Sequence, residues 1–496
     1  MIFETSSLHF GSFDLHGLRV FGELRLSAAQ SRLRLRIEDK PARLDAPSVV
    51  YGQLHDFSFV SCIDCVGGST PDTRSDSQGH HSYSWDLFPH FALIGDRHFN
   101  PAIDKIIGVW FSVSDASLIF DDFDSYGVLY ESPMSISELI PKSVGDRQVP
   151  HGPAPKLAYF AGRSNVLDVA VSEGRIEVRH WPIYEMSSSE GIRLGSNLKL
   201  GIRFSTPKDI SSCLSAVSKL TQFLSLVAGR SQGVSNVQVQ TNGATEKVRP
   251  LLLHWSFAPS EVKTVEDQDK PSFWDMPLDA IRRPDEFASS LSSWWEASLD
   301  QGLARARLHS CRARGMHFDV DRLVAAANMF DLRVTSVETE IPAELAQVCK
   351  ESVMALMKLP KTDDRDSAIM ALKRVGAPSL RKKVFARATV VKLRFVLDDL
   401  DEVLRLAIQS RNYFVHGGGD KFNYAAVEPY TAFLTESLEF VFAAAELIEC
   451  GWDGAAWKRK PHTASHWFSR YLSGYSGYAR DLLLACGKMP KIELIP

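Results

Sequence analysis

The sequence predicts an α+β protein: a β-rich N-terminal region followed by an all-helical C-terminal region. Three observations carry this. Short segments that alternate polar and apolar residues lie before about residue 285 of 496. From about residue 286 the apolar residues recur at helical spacing among good helix formers. Charge divides the same way: residues 301–496 hold 28 Lys+Arg against 23 Asp+Glu, and the preceding residues hold 28 against 37.

In Ser31 to Ile37 (SRLRLRI), Arg32, Arg34 and Arg36 alternate with Leu33, Leu35 and Ile37, as in a half-buried strand. VVYGQLH, IIGVWFSV, VLDVAVS, RIEVRHW, LKLGIRFS and VSNVQVQ read alike: β-branched or aromatic, and bounded by Gly, Pro, Ser and Asp. Sandwich-like packing is expected over 1–285. Pro141 to Pro155, with four prolines and two glycines, is a candidate division into two subdomains, and Gly67 to Ser82 a loop. One helix interrupts the strands: Leu214, Val217, Leu220, Leu224 and Val227 share a face, and Gly229 caps it. The helical region, 286–496, opens with a helix over Glu286 to Arg312. Its Trp294–Trp295 pair is expected to pack against the β-rich part. Further helices follow to Cys486, without a fixed-period repeat.

At 45% hydrophobic and 23% charged the composition is that of a globular protein, and disorder and fibrous classes are excluded. Seven cysteines do not form a disulfide framework. The N-terminus lacks the basic start and apolar run of a signal peptide. No uncharged apolar stretch reaches about 18 residues. A soluble, cytoplasmic protein without a membrane partner is expected. No phosphate loop and no G-x-S-x-G elbow appears. Cys62-x2-Cys65 with His80 and His81 has cysteine spacing that suits zinc, but adjacent histidines rarely share one ion. Ordinary cysteines in a hairpin are the expected alternative, so neither a metal nor a cofactor is assigned. Trp452, Trp457 and Trp467, near Lys458-Arg459-Lys460, are expected in the core or at a subunit interface rather than against RNA.

Lys373 to Arg394 holds eight basic residues, including Arg381, Lys382, Lys383 and Arg387, and no acid. Such a stripe attracts phosphate or is a solvated helix face. The segment that carries chemistry follows it: RNYFVHGGG, Arg411 to Gly419. Acids at Asp398, Asp399, Asp401 and Glu402 suit the start of its helix. Leu400, Leu404 and Ile408 form a buried stripe, and the glycines supply a stop. Asn412 and His416 lie one turn apart on one face. Arg411 and His416 are separated by roughly 140°: a long Arg side chain can swing toward the His face, but the pair is expected to be best completed by a second copy of the helix across a two-fold axis. The apolar Tyr424 to Cys450 helix is expected to serve the bundle core and that interface. His416 sits in the last turn, where the helix dipole favours a cation. A capped helix whose Arg is held in a salt bridge is the structural alternative.

Arg411-Asn412-x3-His416 resembles the R-x4-6-H motif of HEPN-domain ribonucleases. With Gly95 to Phe120 (GDRHFNPAIDKIIGVWFSVSDASLIF), the whole chain resembles the ApeA-like anti-phage HEPN proteins. The resemblance implies a C-terminal HEPN bundle behind a sensing or regulatory N-terminal region. It implies metal-independent endoribonuclease chemistry: 2′-hydroxyl attack leaving a 2′,3′-cyclic phosphate. In that reading His416 moves the proton, Arg411 holds the phosphate, and Asn412 orients either. Tyr413 is a candidate to stack on an unpaired base, with packing in the core its stronger expectation, and Arg381, Lys382, Lys383 and Arg387 grip the backbone. The implied protein is a homodimer that answers a phage-derived trigger by cutting cellular RNA, with tRNA a candidate, in abortive infection. The rival class is a non-catalytic ligand-binding sensor with a helical dimerisation domain.

Overall fold

A computed structural model describes residues 7–488 apart from 28–29, 38–45, 68–71, 76–80, 130–152, 155, 189–190, 243–248, 257–269, 333–341 and 418–421. The candidate division at 141–155 lies almost wholly outside the described residues. Fifteen described strands precede the helical bundle, so the α+β order holds. The chain divides into two compact units, Met1–Glu296 and Ala297–Pro496.

In the first unit the strands do not stack as a simple sandwich. Six of them close on themselves: β1 (Ser7–Leu15), β2 (Leu18–Leu26), β3 (Arg32–Ile37), β7 (His81–Gly95), β5 (Phe59–Gly67) and β4 (Val49–Leu54), the last pairing back to β1. The barrel is filled by alternate residues, among them Phe13, Leu24, Leu33, Leu35, Val60 and Trp85. The seam is tight because two glycines make room for Phe13. A Cβ at Gly52 or Gly22 would stand 2.5 or 2.7 Å from its ring. The arginines of the alternating segment lie on the outer face, where Arg34 makes a bidentate pair with Asp86.

Beyond β7 the sheet opens through β15 (Leu251–Trp255), β14 (Val234–Thr241), β8 (Ile106–Val113), β13 (Gly191–Lys208), β12 (Gly174–Ser188) and β11 (Asn165–Val171). Helix α1 (Ile210–Ala228) packs on β8 and β13, capped by Asp209 at one end and left-handed Gly229 at the other. Among the described residues α1 alone is long and apolar enough to cross a membrane, and most of it is buried.

The stretch expected as one helix over Glu286 to Arg312 is two. Helix α2 (Pro284–Trp295) belongs to the first unit: Trp294 Nε1 donates to Lys219 O at 3.3 Å, and the Phe223 ring meets Phe287 and Trp294. Helix α3 (Leu299–Arg312) starts anew with a reciprocal Ser298–Gln301 capping box. The unit boundary therefore falls at 296/297 rather than 285/286. The tryptophan pair packs inside the first unit, as its sequence context predicts.

In the second unit α9 (Thr431–Glu449) is central. Helices α4 (Val320–Leu332), α7 (Leu380–Lys392), α8 (Leu400–His416) and α10 (Trp467–Ala485) pack on it. Phe433, Leu434, Leu438, Val441, Phe442 and Ala445 are all core, so the α9 surface expected at a subunit interface is consumed within the chain. Trp452, Trp457 and Trp467 are also core. Two α9 carboxylates are buried among guanidinium groups. Glu439 holds Arg322 (2.8 Å) and Arg312 (3.1 Å), and Glu446 holds Arg305 (2.6 Å) and Arg387. The α5 (Ala343–Met357) and α6 (Asp363–Lys373) pair differs: no residue of α5 and only Ile369 of α6 is buried. Leu345, Val348, Met354, Met357 and Met370 are exposed there.

Candidate active site on helix α8

Helix α8 forms as its sequence predicts. Asp401 and Glu402 stand in the first turn, and Leu400, Val403, Leu404, Ala407 and Ile408 are buried. Left-handed Asp399 marks the start. At the other end Gly417, at φ +82°, ends the helix directly after His416. This places Arg411, Asn412 and His416 in the last two turns, with His416 exposed and Arg411 half-buried.

The angular separation of Arg411 and His416 does not keep them apart. The arginine stem swings round the helix, and Arg411 Nη1 lies 3.2 Å from His416 Nε2 in the same chain. The same Nη1 donates to Asn412 Oδ1 at 3.1 Å. A second copy is therefore not needed to bring the pair together, which corrects the expectation from helical geometry. A guanidinium only donates, so this contact has Nε2 as acceptor and leaves the imidazole proton on Nδ1.

One residue of the site carries no local sequence signal. Asn328, 83 positions earlier on α4, accepts from Arg411 Nη2 at 3.1 Å. The guanidinium is thus fixed between two helices. Among the described residues Arg411 has no carboxylate partner, and its Nε is buried without an acceptor. Its charge is held by neutral amides and stays available to an anion, unlike the salt-bridged arginine of the structural alternative.

The other expected contacts divide. Tyr413 lies beside the site, but one face of its ring already stacks on Tyr424 at 5.0 Å, and it also meets Phe414 and Phe422. On α7 only part of the basic stripe is free. Arg381 and Lys382 are exposed, with Arg381 over the Phe385 ring. Lys383 is held by Asp331 at 3.2 Å. Arg387 is not a surface cation: it is 2% exposed and paired with Glu446 and Glu449, so its assignment to RNA is corrected. A basic helix must still bury one face, and Arg387 falls on that face.

Among the described residues no cluster of metal-ligating side chains forms at the zinc candidate. Cys62 and Cys65 both point into the barrel core, because a left-handed Asp64 on β5 shifts the alternation by one. Burial raises both thiols, Cys65 to about 12. His80 lies outside the described residues, and so does the side chain of His81.

Two family models match the chain. ApeA N-terminal domain 1 covers residues 10–294, and Apea-like HEPN covers 324–455, a span that holds Asn328, Arg411, Asn412 and His416. No curated protein and no solved structure matches it.

Proposed function

This chain belongs to the ApeA family, an ApeA N-terminal domain joined to an Apea-like HEPN domain, and on that footing we propose that it is an anti-phage effector whose helical unit is an endoribonuclease. The observation that supports the reading is the Arg411 guanidinium, without a carboxylate partner among the described residues, in contact with His416 at an exposed helix end.

The chemistry needs no group beyond these side chains. A phosphodiester that docks on Arg411 competes for Nη1 and releases His416 Nε2. That nitrogen takes the proton of the adjacent 2′-hydroxyl as its oxygen attacks phosphorus. The P–O5′ bond breaks, the leaving oxygen is protonated by imidazolium or water, and a 2′,3′-cyclic phosphate and a 5′-hydroxyl remain. Arg411, cationic at any working pH, carries the charge that grows on the phosphoryl oxygens. Asn412 and Asn328 hold its fork in place.

Purified full-length protein should cut RNA in EDTA and leave cyclic-phosphate ends. His416→Ala and Arg411→Ala should abolish this and remain folded, since neither side chain belongs to the bundle core. Full cleavage by either variant, or a strict Mg²⁺ requirement, overturns the reading.

The active form we propose is a cytoplasmic homodimer through the helical unit. The exposed apolar side chains of α5 and α6 offer surface for it, now that α9 is accounted for by the core. A phage-derived trigger would release the activity, and tRNA is a proposed target whose cutting would halt translation and abort the infection. Against the non-catalytic sensor stands the Arg411 guanidinium, which among the described residues is held by amides and the imidazole rather than by a carboxylate.

A further inference from the structure

The open part of the first unit's sheet carries a cationic and aromatic surface that the proposed reaction does not use. Ile176, Val178, Leu200, Ile202, Val109, Phe111 and Val239 are buried on the face that bears α1. Strand register sets out the opposite face in rows. Arg175 pairs with Arg203, which continues to Gly108 and Gln240; Glu177 continues to Gly201, Trp110 and Gln238; Arg179 pairs with Lys199. Trp181 extends the face along β12.

The surface is built rather than incidental. A Cβ at Gly201 would stand 2.4 Å from the Trp110 ring, so the ring lies flat on the sheet only because residue 201 is glycine. The Arg179 guanidinium covers the ring's other side, 5.4 Å from its centroid. The buried carboxylate of Glu177 holds Arg179 at 2.7 Å and Arg203 at 2.9 Å, and Asp168 holds Arg175 at 3.1 Å. The three guanidinium side chains are fixed yet remain 42, 55 and 53% exposed. Trp181 is 62% exposed, with the Lys199 ammonium 5.9 Å from its ring. Four cations face two carboxylates.

We propose that this face binds single-stranded RNA. An exposed indole and a guanidinium plane seated on a second indole accept unpaired bases by stacking, and the surplus cations take phosphates. A duplex hides its bases and cannot use these planes. The choice of RNA rests on the ribonuclease reading of the helical unit. There Lys383 and Arg387 are engaged within the bundle, which leaves Arg381 and Lys382 as the exposed cations of that stripe.

The test uses full-length His416→Ala protein and a fluorescent unstructured 20-nucleotide RNA. Trp181→Ala should weaken binding about tenfold, the loss of one stacked base. Arg175→Gln with Lys199→Gln should flatten the log–log salt slope by about 1.4, at about 0.7 per phosphate contact. Duplex of the same sequence should compete poorly. Trp181 and Arg175 are exposed and Lys199 is half-buried, and circular dichroism checks that the variants fold. Unchanged affinity and slope in the folded variants, or equal binding of duplex, overturns the proposal. The two readings fail separately: wild-type protein that binds RNA through Trp181 but cuts none leaves this face standing, and cutting that is indifferent to these substitutions with unaltered binding removes it.

Discussion

Arg411 Nη1 reaches His416 Nε2 at 3.2 Å within a single chain, five residues along one helix. Each chain therefore holds a complete pair. In the proposed homodimer, mixed dimers of wild type with an Arg411→Ala/His416→Ala double variant should keep about half the cleavage rate per dimer. A rate that falls to background in the mixed dimers would show that the pair is shared between chains.

Asn328 should act as a positioning residue. Its Oδ1 accepts from Arg411 Nη2, a hydrogen bond to a charged group worth about 1.5–3 kcal/mol. Asn328→Ala should lower kcat about tenfold or more while leaving the melting temperature near that of wild type. Asn328→Gln, which keeps a neutral amide acceptor, should recover part of the rate. Equal losses in both variants would reduce Asn328 to packing.

Glu439 is buried against two arginines, and Arg322 is fully buried as well. Glu439→Gln should destabilise the helical unit by about 3–5 kcal/mol, because it leaves guanidinium charge in the core without its counter-ion. Glu439→Leu combined with Arg322→Met should cost less than Glu439→Leu alone. Chemical denaturation measures both; additive losses would show that the two groups are not coupled.

The barrel should carry an acid-sensitive contribution at Asp86. The bidentate hydrogen bond from Arg34 holds its carboxyl below the ordinary value, with Arg34 and Arg32 adding charge attraction. A depressed carboxyl stabilises the fold above its unfolded value, about 3.9, and that contribution is lost as pH falls through the folded value. Asp86→Asn should be less stable at neutral pH and show a flatter fall in stability below about pH 4. Parallel pH–stability curves for the two proteins would contradict this.

The strands and the active helix were legible because each is a local pattern: Leu33, Leu35 and Ile37 at period two, and Leu400, Leu404 and Ile408 at helical spacing. The break between α2 and α3 was also written locally, in Ser298 and Gln301, but the helical period on either side concealed it. Closure of the barrel was not legible, since β1–β4 pairing depends on contacts between Gly11 and Leu54 that no local pattern encodes. Asn328 and the fate of Arg387 were hidden for the same reason. A half-buried asparagine looks like any other, and a basic residue on α7 declares its burial only when Glu446 is seen opposite. Helical angles describe Cβ positions, so the sequence showed that the Arg411 side chain can swing toward His416 but not that it completes the contact within one chain.

The buried arginines around α9 also have a mechanical consequence. Apolar contacts along α9 are non-directional, so they oppose a slide of one turn, about 5.4 Å, only through the fit of side chains of different size. Glu439 and Glu446, seven residues apart, each meet arginines from two other helices. A slip would strand both carboxylates at once. The charges act as teeth that index α9 against α3, α4 and α7. Helix α8 rides on α9 and α4, so the height at which His416 emerges beside Asn328 is set by this ratchet deep in the bundle rather than by any residue near the helix end.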